Sequence, residues 1–192
     1  MTQGNRRTWL LLGALVGVFA LAFAGLAGAK LKTKTFSSGT ISEEFGSDPS
    51  TVVQDIGINK KKFKRAKVKD VDVGVRIDHT YDGDVDISLT SPSGRTVTLS
   101  SGNGEAGDDY GSGDSSCSGT KTVFNDEAET LISDGVAPFA RQFKPEGRLS
   151  TLDGAKVKGI WRLTVDDTFG IVDDGVLRCV DLKVKYKKKK KH

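Results

Sequence analysis

The chain has 192 residues, 36% hydrophobic and 28% charged, a balance that supports one globular body and excludes a disordered chain. Its formal net charge of +4 comes from Arg6, Arg7 and the lysine run at 187–191; without them the body is slightly acidic, which excludes a nucleic-acid-binding face. The 23 glycines punctuate short β-branched runs, the composition of an all-β protein with many tight turns.

Residues 1–29 stand apart: Arg6 and Arg7, an almost wholly apolar run over 9–26, then Ala27-Gly28-Ala29. The small-x-small ending suits signal peptidase, while the apolar run is long enough to span a bilayer as an anchor helix. Both readings stay open, and both place the rest of the chain outside the cytoplasm, secreted or at the cell surface. Arg6-Arg7-Thr8-Trp9-Leu10 is also a loose fit to a twin-arginine export signal. Residues 30–50 read as a polar lead-in with one Thr/Phe-rich segment at 33–36. Residues 51–59 are mixed. Lys60, Lys61, Lys62, Lys64, Arg65 and Lys67 then form a basic cluster, expected to protect a strand edge, with a polyanion-facing surface as the alternative.

Strand signals follow. Val71, Val73, Val75 and Ile77 alternate with Asp70, Asp72, Gly74, Arg76 and Asp78, a period of two that predicts one buried and one wet face. Val85, Ile87 and Leu89 repeat the pattern, as do Val97 and Leu99. Between these two runs, Ser91-Pro92-Ser93-Gly94 predicts a hairpin turn, with Pro92 presetting φ and Gly94 suiting the fourth position. Residues 102–119, rich in Gly, Asp and Ser, read as a loop; Val123-Phe124 marks a short strand and 126–133 an irregular or helical turn. Trp161, Leu163 and Val165 alternate, 166–175 is an Asp-dense turn, and Val180, Leu182, Val184 and Tyr186 form the last strand. The spacing predicts a β-sandwich or jelly roll over 51–186, followed by a basic tail at 187–192. Cys117 and Cys179, the only cysteines of an exported chain, predict one disulfide. Two cysteines and the single internal His79, with no ligand-like spacing, do not make a zinc site.

The order of motifs resembles the P domain (P/Homo B domain) of kexin- and furin-like proprotein convertases and bacterial subtilisin-like proteases. His79-Thr80-Tyr81-Asp82-Gly83-Asp84 is similar to the family's His-Thr-Tyr-x-Gly-Asp motif, and Ser91-Pro92-Ser93-Gly94 to its Ser-Pro-x-Gly turn. Phe124-Asn125-Asp126-Glu127-Ala128, then Pro145 with Leu149-Ser150 and Gly154, continue the match. Gly159-Ile160-Trp161-Arg162-Leu163-Thr164-Val165-Asp166-Asp167 and Asp174-Gly175-Val176-Leu177 complete it. The resemblance implies a galactose-binding-domain-like jelly roll and a module that supports a subtilisin-like catalytic domain. One departure is the last strand, where the family's Trp is replaced within Leu177-Arg178-Cys179-Val180-Asp181-Leu182. Ahead of the matched stretch lie only the apolar segment and the lead-in, so the expectation is a module without its protease.

No catalytic residue is expected. A serine peptidase needs nucleophile, base and orienting acid together, and His79 comes without a Gly-x-Ser-x-Gly elbow; the resemblance implies a structural role for it. Asp82-Gly83-Asp84-Val85-Asp86 begins like an EF-hand but has Ile87 and Ser93 where Gly and Glu are required. Calcium, which the resemblance implies for bacterial members, would be held by Asp84, Asp86, Asp166 and Asp174, with Asp108, Asp109 and Asp173 as further oxygen donors. The competing reading is that these aspartates cap turns. The expected function is to bind or stabilise a partner protein, such as a protease in trans, with proteolysis as its association. A surface-glycan module is the alternative and a peptidase the least favoured. Membrane contact is expected only through an uncleaved N-terminal segment or the lysine tail on anionic lipid or wall polymer.

Overall fold

A computed structural model describes residues 1, 30–47, 50–170 and 173–188. The predicted signal or anchor at 1–29 and the end of the lysine tail lie outside these residues, apart from Met1. Ten strands fold into two sheets: β1 (Lys32–Ser37), β2 (Glu43–Phe45), β3 (Thr51–Ile58), β4 (Ala66–Asp78), β5 (Val85–Thr90), β6 (Thr96–Ser101), β7 (Thr122–Phe124), β8 (Gln142–Phe143), β9 (Gly159–Asp167) and β10 (Gly175–Lys188). One sheet runs β1-β10-β4-β7-β8, with β2 also on β10; the other runs β3-β9-β5-β6. All described helical turns are short 3-10 segments, so the chain is an all-β sandwich.

The alternating runs do what their period requires. Val71, Val73, Val75 and Ile77 of β4 and Leu177, Val180, Leu182 and Val184 of β10 point inward with Val85, Ile87, Leu89, Leu163 and Val165 of the other sheet. β4 and β10 are the long central pair, antiparallel, with Leu182 opposite Val73. Trp161 is sealed at the centre of the core, and its indole N–H donates to the Val157 carbonyl at 3.1 Å. Trading it for alanine would cost about 3–5 kcal/mol. Along β10, Leu177, Cys179, Val180 and Leu182 are all fully buried. The β5–β6 hairpin turns at Ser91-Pro92-Ser93-Gly94, with Gly94 N–H donating to Ser91 O at 2.9 Å and Gly94 at φ +81°.

Three expectations change. The lead-in is part of the sandwich: β1 and β2 both pair with β10, and the mixed stretch after it is β3, an edge strand on β9. The basic cluster protects no edge. It forms the link from β3 to β4, through a 3-10 turn at Lys61–Phe63, and β4 is an interior strand. Phe63 anchors that link, packed edge-on against Phe36 and Tyr186 while Lys62 lies over its ring. Finally, the wet face of β4 is largely covered, since Asp72, Gly74 and Arg76 are all buried. β10 continues to Lys188, so the first two tail lysines pair with Lys67 and Ala66.

Candidate functional site

At one end of the sandwich the chain crosses between sheets twice. It leaves β4 at His79 and enters β5 of the other sheet through a 3-10 turn at Asp82–Asp84; later it leaves β9 at Asp167 and returns at Gly175. His79 and Asp167 tie these crossings together, with imidazole Nε2 at 3.2 Å from Asp167 Oδ2. A carboxylate can only accept, so Nε2 carries the proton and donates. Nδ1 lies 3.1 Å from the Tyr81 N–H, which donates to it, and 3.0 Å from the Tyr81 carbonyl. Asp167 Oδ1 accepts the Phe169 N–H at 2.9 Å. Phe45 of β2 stacks on the imidazole at 5.6 Å between centroids. Gly175 makes room for that stack: a Cβ there would sit 2.3 Å from Phe45 Cζ and 2.6 Å from His79 Cδ2. The imidazole is thus fully enclosed, with both ring nitrogens engaged inside the protein.

The other motif residues serve the same crossing. Thr80 Oγ1 donates to Asp173 Oδ1 at 2.8 Å, joining one crossing to the other. Tyr81 keeps 40% of its surface exposed. Gly83 packs where a Cβ would lie 3.1 Å from the Glu105 carbonyl oxygen, so loop 102–109 can close over it. Asp84 contributes its backbone carbonyl, which accepts from Thr168 N–H and Oγ1 at 2.8 and 3.0 Å. Asp86 stands opposite Asp166 in the β5–β9 register, and Asp166 accepts from the Thr51 hydroxyl. Asp174 lies across the second crossing against Gly46. Among the described residues, two groups of three side chains have ligand atoms close enough to share a metal ion, and Asp84, Asp86, Asp166 and Asp174 are in neither.

Cys117 and Cys179 are joined, with Cα atoms 5.2 Å apart, so the Gly-rich loop is fastened to β10.

The family model described as Proprotein convertase P-domain matches residues 68–184. The chain belongs to this family. Among solved structures the P-domain chain is similar to the serine protease of Aeromonas sobria, with a TM-score of 0.50 and 17% identity over 81% of this chain and 27% of that one. It is equally similar to a chain from the crystal structure of Aeromonas sobria serine protease in complex with a chaperone: TM-score 0.50, 16% identity, 84% of this chain and 28% of that one. At these identities the likeness is one of fold, and this chain spans about a quarter of those chains, 27% and 28%. No curated protein matches the sequence.

Besides Asp72, the charged residues Arg76 and Asp82 of this P-domain are buried where the sequence reading placed them in solvent or in a turn. Arg76 is 1% exposed; its Nη1 donates to the Ser112 carbonyl at 2.5 Å and its Nη2 to Asp78 Oδ1 at 3.1 Å. The glycines of the loop wrap this guanidinium, since a Cβ on Gly119 would lie 2.3 Å from Nη1. The repeated Gly and Ser of that loop were the available signal. Asp82 is fully buried, and neither carboxylate oxygen has a hydrogen-bond partner. Burial first, then the charges of Asp109 and Asp108, push its acid up to about 8. In sequence it stands at the variable position of the motif, where an aspartate reads as an ordinary turn former.

Proposed function

We propose that this chain is an exported, non-catalytic P-domain module of jelly-roll type that binds and stabilises a partner protein, with a subtilisin-like serine protease as the first partner to test. The observation that carries this reading is the family match over 68–184, which takes in both inter-sheet crossings. The chemistry of the crossing supports it: the polar atoms of His79 are engaged by Tyr81 and Asp167 inside the protein. The likeness to part of an Aeromonas sobria serine protease chain supports the choice of partner class, and the apolar run at 9–26 supports export. A glycan platform has less behind it, because Trp161 is buried and unavailable for stacking on a sugar. The test is to co-express the chain with a subtilisin-like protease that lacks its own P domain and follow the protease's residual activity during heating. A longer half-life with the chain present, and co-elution of the two, is the expected result. An unchanged half-life with no co-elution overturns the partner assignment.

A further inference from the structure

The end of the sandwich opposite the crossings is basic, and four separate segments build it. β4 runs 13 residues from Ala66 to Asp78, so its start lies about 40 Å from the crossing it feeds. At that start Lys67 stands opposite Lys187 of β10 and forms a bridge with Lys156, while Ala66 stands opposite Lys188. β9 begins at Gly159, opposite the last residue of β3, so Lys158 and the basic cluster at 60–67 issue from adjoining strands. The turn at 91–94 brings Arg95 to the same end. Gly159 packs on Pro92, and the Arg95 guanidinium donates to the Thr151 carbonyl. Phe63 is buried within the cluster, which leaves Lys61, Lys62 and Lys64 exposed around it.

These cations lack partners of opposite charge. None of them is ion-paired among the described residues, whereas Lys121, Arg162, Lys183 and Lys185 elsewhere each meet a carboxylate. A groove of about 380 Å³ opens between Lys67, Arg95 and Lys156, with Asp153 as the acid in its lining. Acids gather at the other end instead. Asp82 and Asp84 form the turn of the first crossing, Asp109 accepts the His79 N–H at 3.0 Å, and Asp173 and Asp174 lie in the second crossing.

The chain also enters the fold at the basic end, because Lys32, the first residue of β1, stands opposite Tyr186. The apolar run over 9–26 stops six residues before Lys32, a separation that extended chain spans in about 20 Å. A bilayer holding that run therefore has the basic end nearest to it and the acidic crossings farthest away.

We propose that the basic end of the sandwich is a docking face for an anionic lipid bilayer and holds the domain upright, with both crossings turned away from the membrane. Each Lys or Arg brought close to an anionic leaflet strengthens binding about fivefold, so the folded face adds to what the lysine tail supplies by itself. Lysines dominate the face, and an ammonium is a point charge that reads charge density and not the shape of one ligand, which suits a lipid surface. The face is remote from both crossings, so it stands or falls apart from the protease assignment.

The experiment places the full chain, with residues 1–29, in phosphatidylglycerol vesicles and in phosphatidylcholine vesicles, and follows acetylation of each lysine by mass spectrometry. The lysines at 60–67, Lys156 and Lys158 should react at least about fivefold more slowly on phosphatidylglycerol. Lys121 and Lys183, paired in other parts of the fold, should react alike on both lipids. Salt at about 0.5 M should erase the difference by screening. Lys156 is exposed and Lys158 half-buried, so Lys156→Glu/Lys158→Glu leaves the core intact and should remove protection across 60–67. An unchanged thermal midpoint of the variant checks its fold, and the two-lipid comparison on the wild type decides independently of it. Equal rates on both lipids, protection confined to Lys187 and the lysines after it, or protection that survives in the folded double variant would each overturn the face. Protection of the same lysines by inorganic polyphosphate in detergent, with none from phosphatidylglycerol, would assign the face to a soluble polyanion and overturn the lipid.

Discussion

His79 Nε2 lies 3.2 Å from Asp167 Oδ2, and neither side chain has any exposure to solvent. The two residues are 88 apart in sequence and belong to the two stretches that carry the chain between the sheets. Removing one partner strands the other in the interior, so His79→Ala should destabilise the fold by about 3 kcal/mol. His79→Gln keeps a donor and should cost less. Urea unfolding followed by Trp161 fluorescence measures both, and equal stability of wild type and His79→Ala would refute the latch.

Gly175 should tolerate no side chain. A Cβ there overlaps Phe45 and His79, neither of which can retreat from the core, so Gly175→Ala should lose about 1–3 kcal/mol. Gly57 is the control, since a Cβ there meets nothing nearer than Asn59 Nδ2 at 3.5 Å. Gly57→Ala should stay within about 0.5 kcal/mol of wild type. Parallel thermal melts decide the matter, and a tolerated Gly175→Ala would contradict the packing.

Asp82 should make the protein more stable in mild acid than in mild base. Its acid sits at about 8 in the fold against an ordinary 3.8, so the folded chain holds a proton that the unfolded chain gives up. The contribution is fully present below pH 4 and is lost as pH rises through about 8, at up to about 1.4 kcal/mol per pH unit. Asp109, raised chiefly by burial, adds with the same sign. Asp82→Asn should flatten the slope and gain stability at pH 8. Unfolding curves at pH 5 and pH 8 in chelator test this; an unchanged slope in the variant would rule it out.

The Cys117–Cys179 bond closes a separation of 62 residues, which corresponds to about 4 kcal/mol of restricted unfolded-state entropy. Cys117→Ser/Cys179→Ala should lower the denaturation midpoint and expose the 111–121 loop to proteolysis. Intact-mass analysis with and without reductant checks the bond in the native protein, and two alkylatable thiols would exclude it.

Peptidase activity is expected to be absent. Incubating the full chain with fluorogenic peptides cut after paired basic residues should give no turnover. Turnover that disappears in His79→Ala would overturn the non-catalytic reading.

Much of the fold is legible in the sequence alone. The alternation of Val71 to Ile77, Val85 to Leu89 and Trp161 to Val165 determines which residues enter the core, and Ser91-Pro92-Ser93-Gly94 determines the hairpin between β5 and β6. The order of motifs identifies the family, and with Cys117 and Cys179 as the only cysteines the pairing in the disulfide has no alternative within the chain. The pairing of the lead-in is not legible, because β1 and β2 find their partner in β10, far along the chain, and bury little of their own surface. Arg76, Asp72 and Asp82 read as solvent-facing or turn residues, yet all three are buried. A period of two reports which way a side chain leaves its own strand. Whether water, a glycine-rich loop or a lysine from a neighbouring strand lies beyond it is decided only when distant segments pack together. For that reason the meeting of Asp70 and Asp72 with Glu127 belongs to the tertiary structure alone.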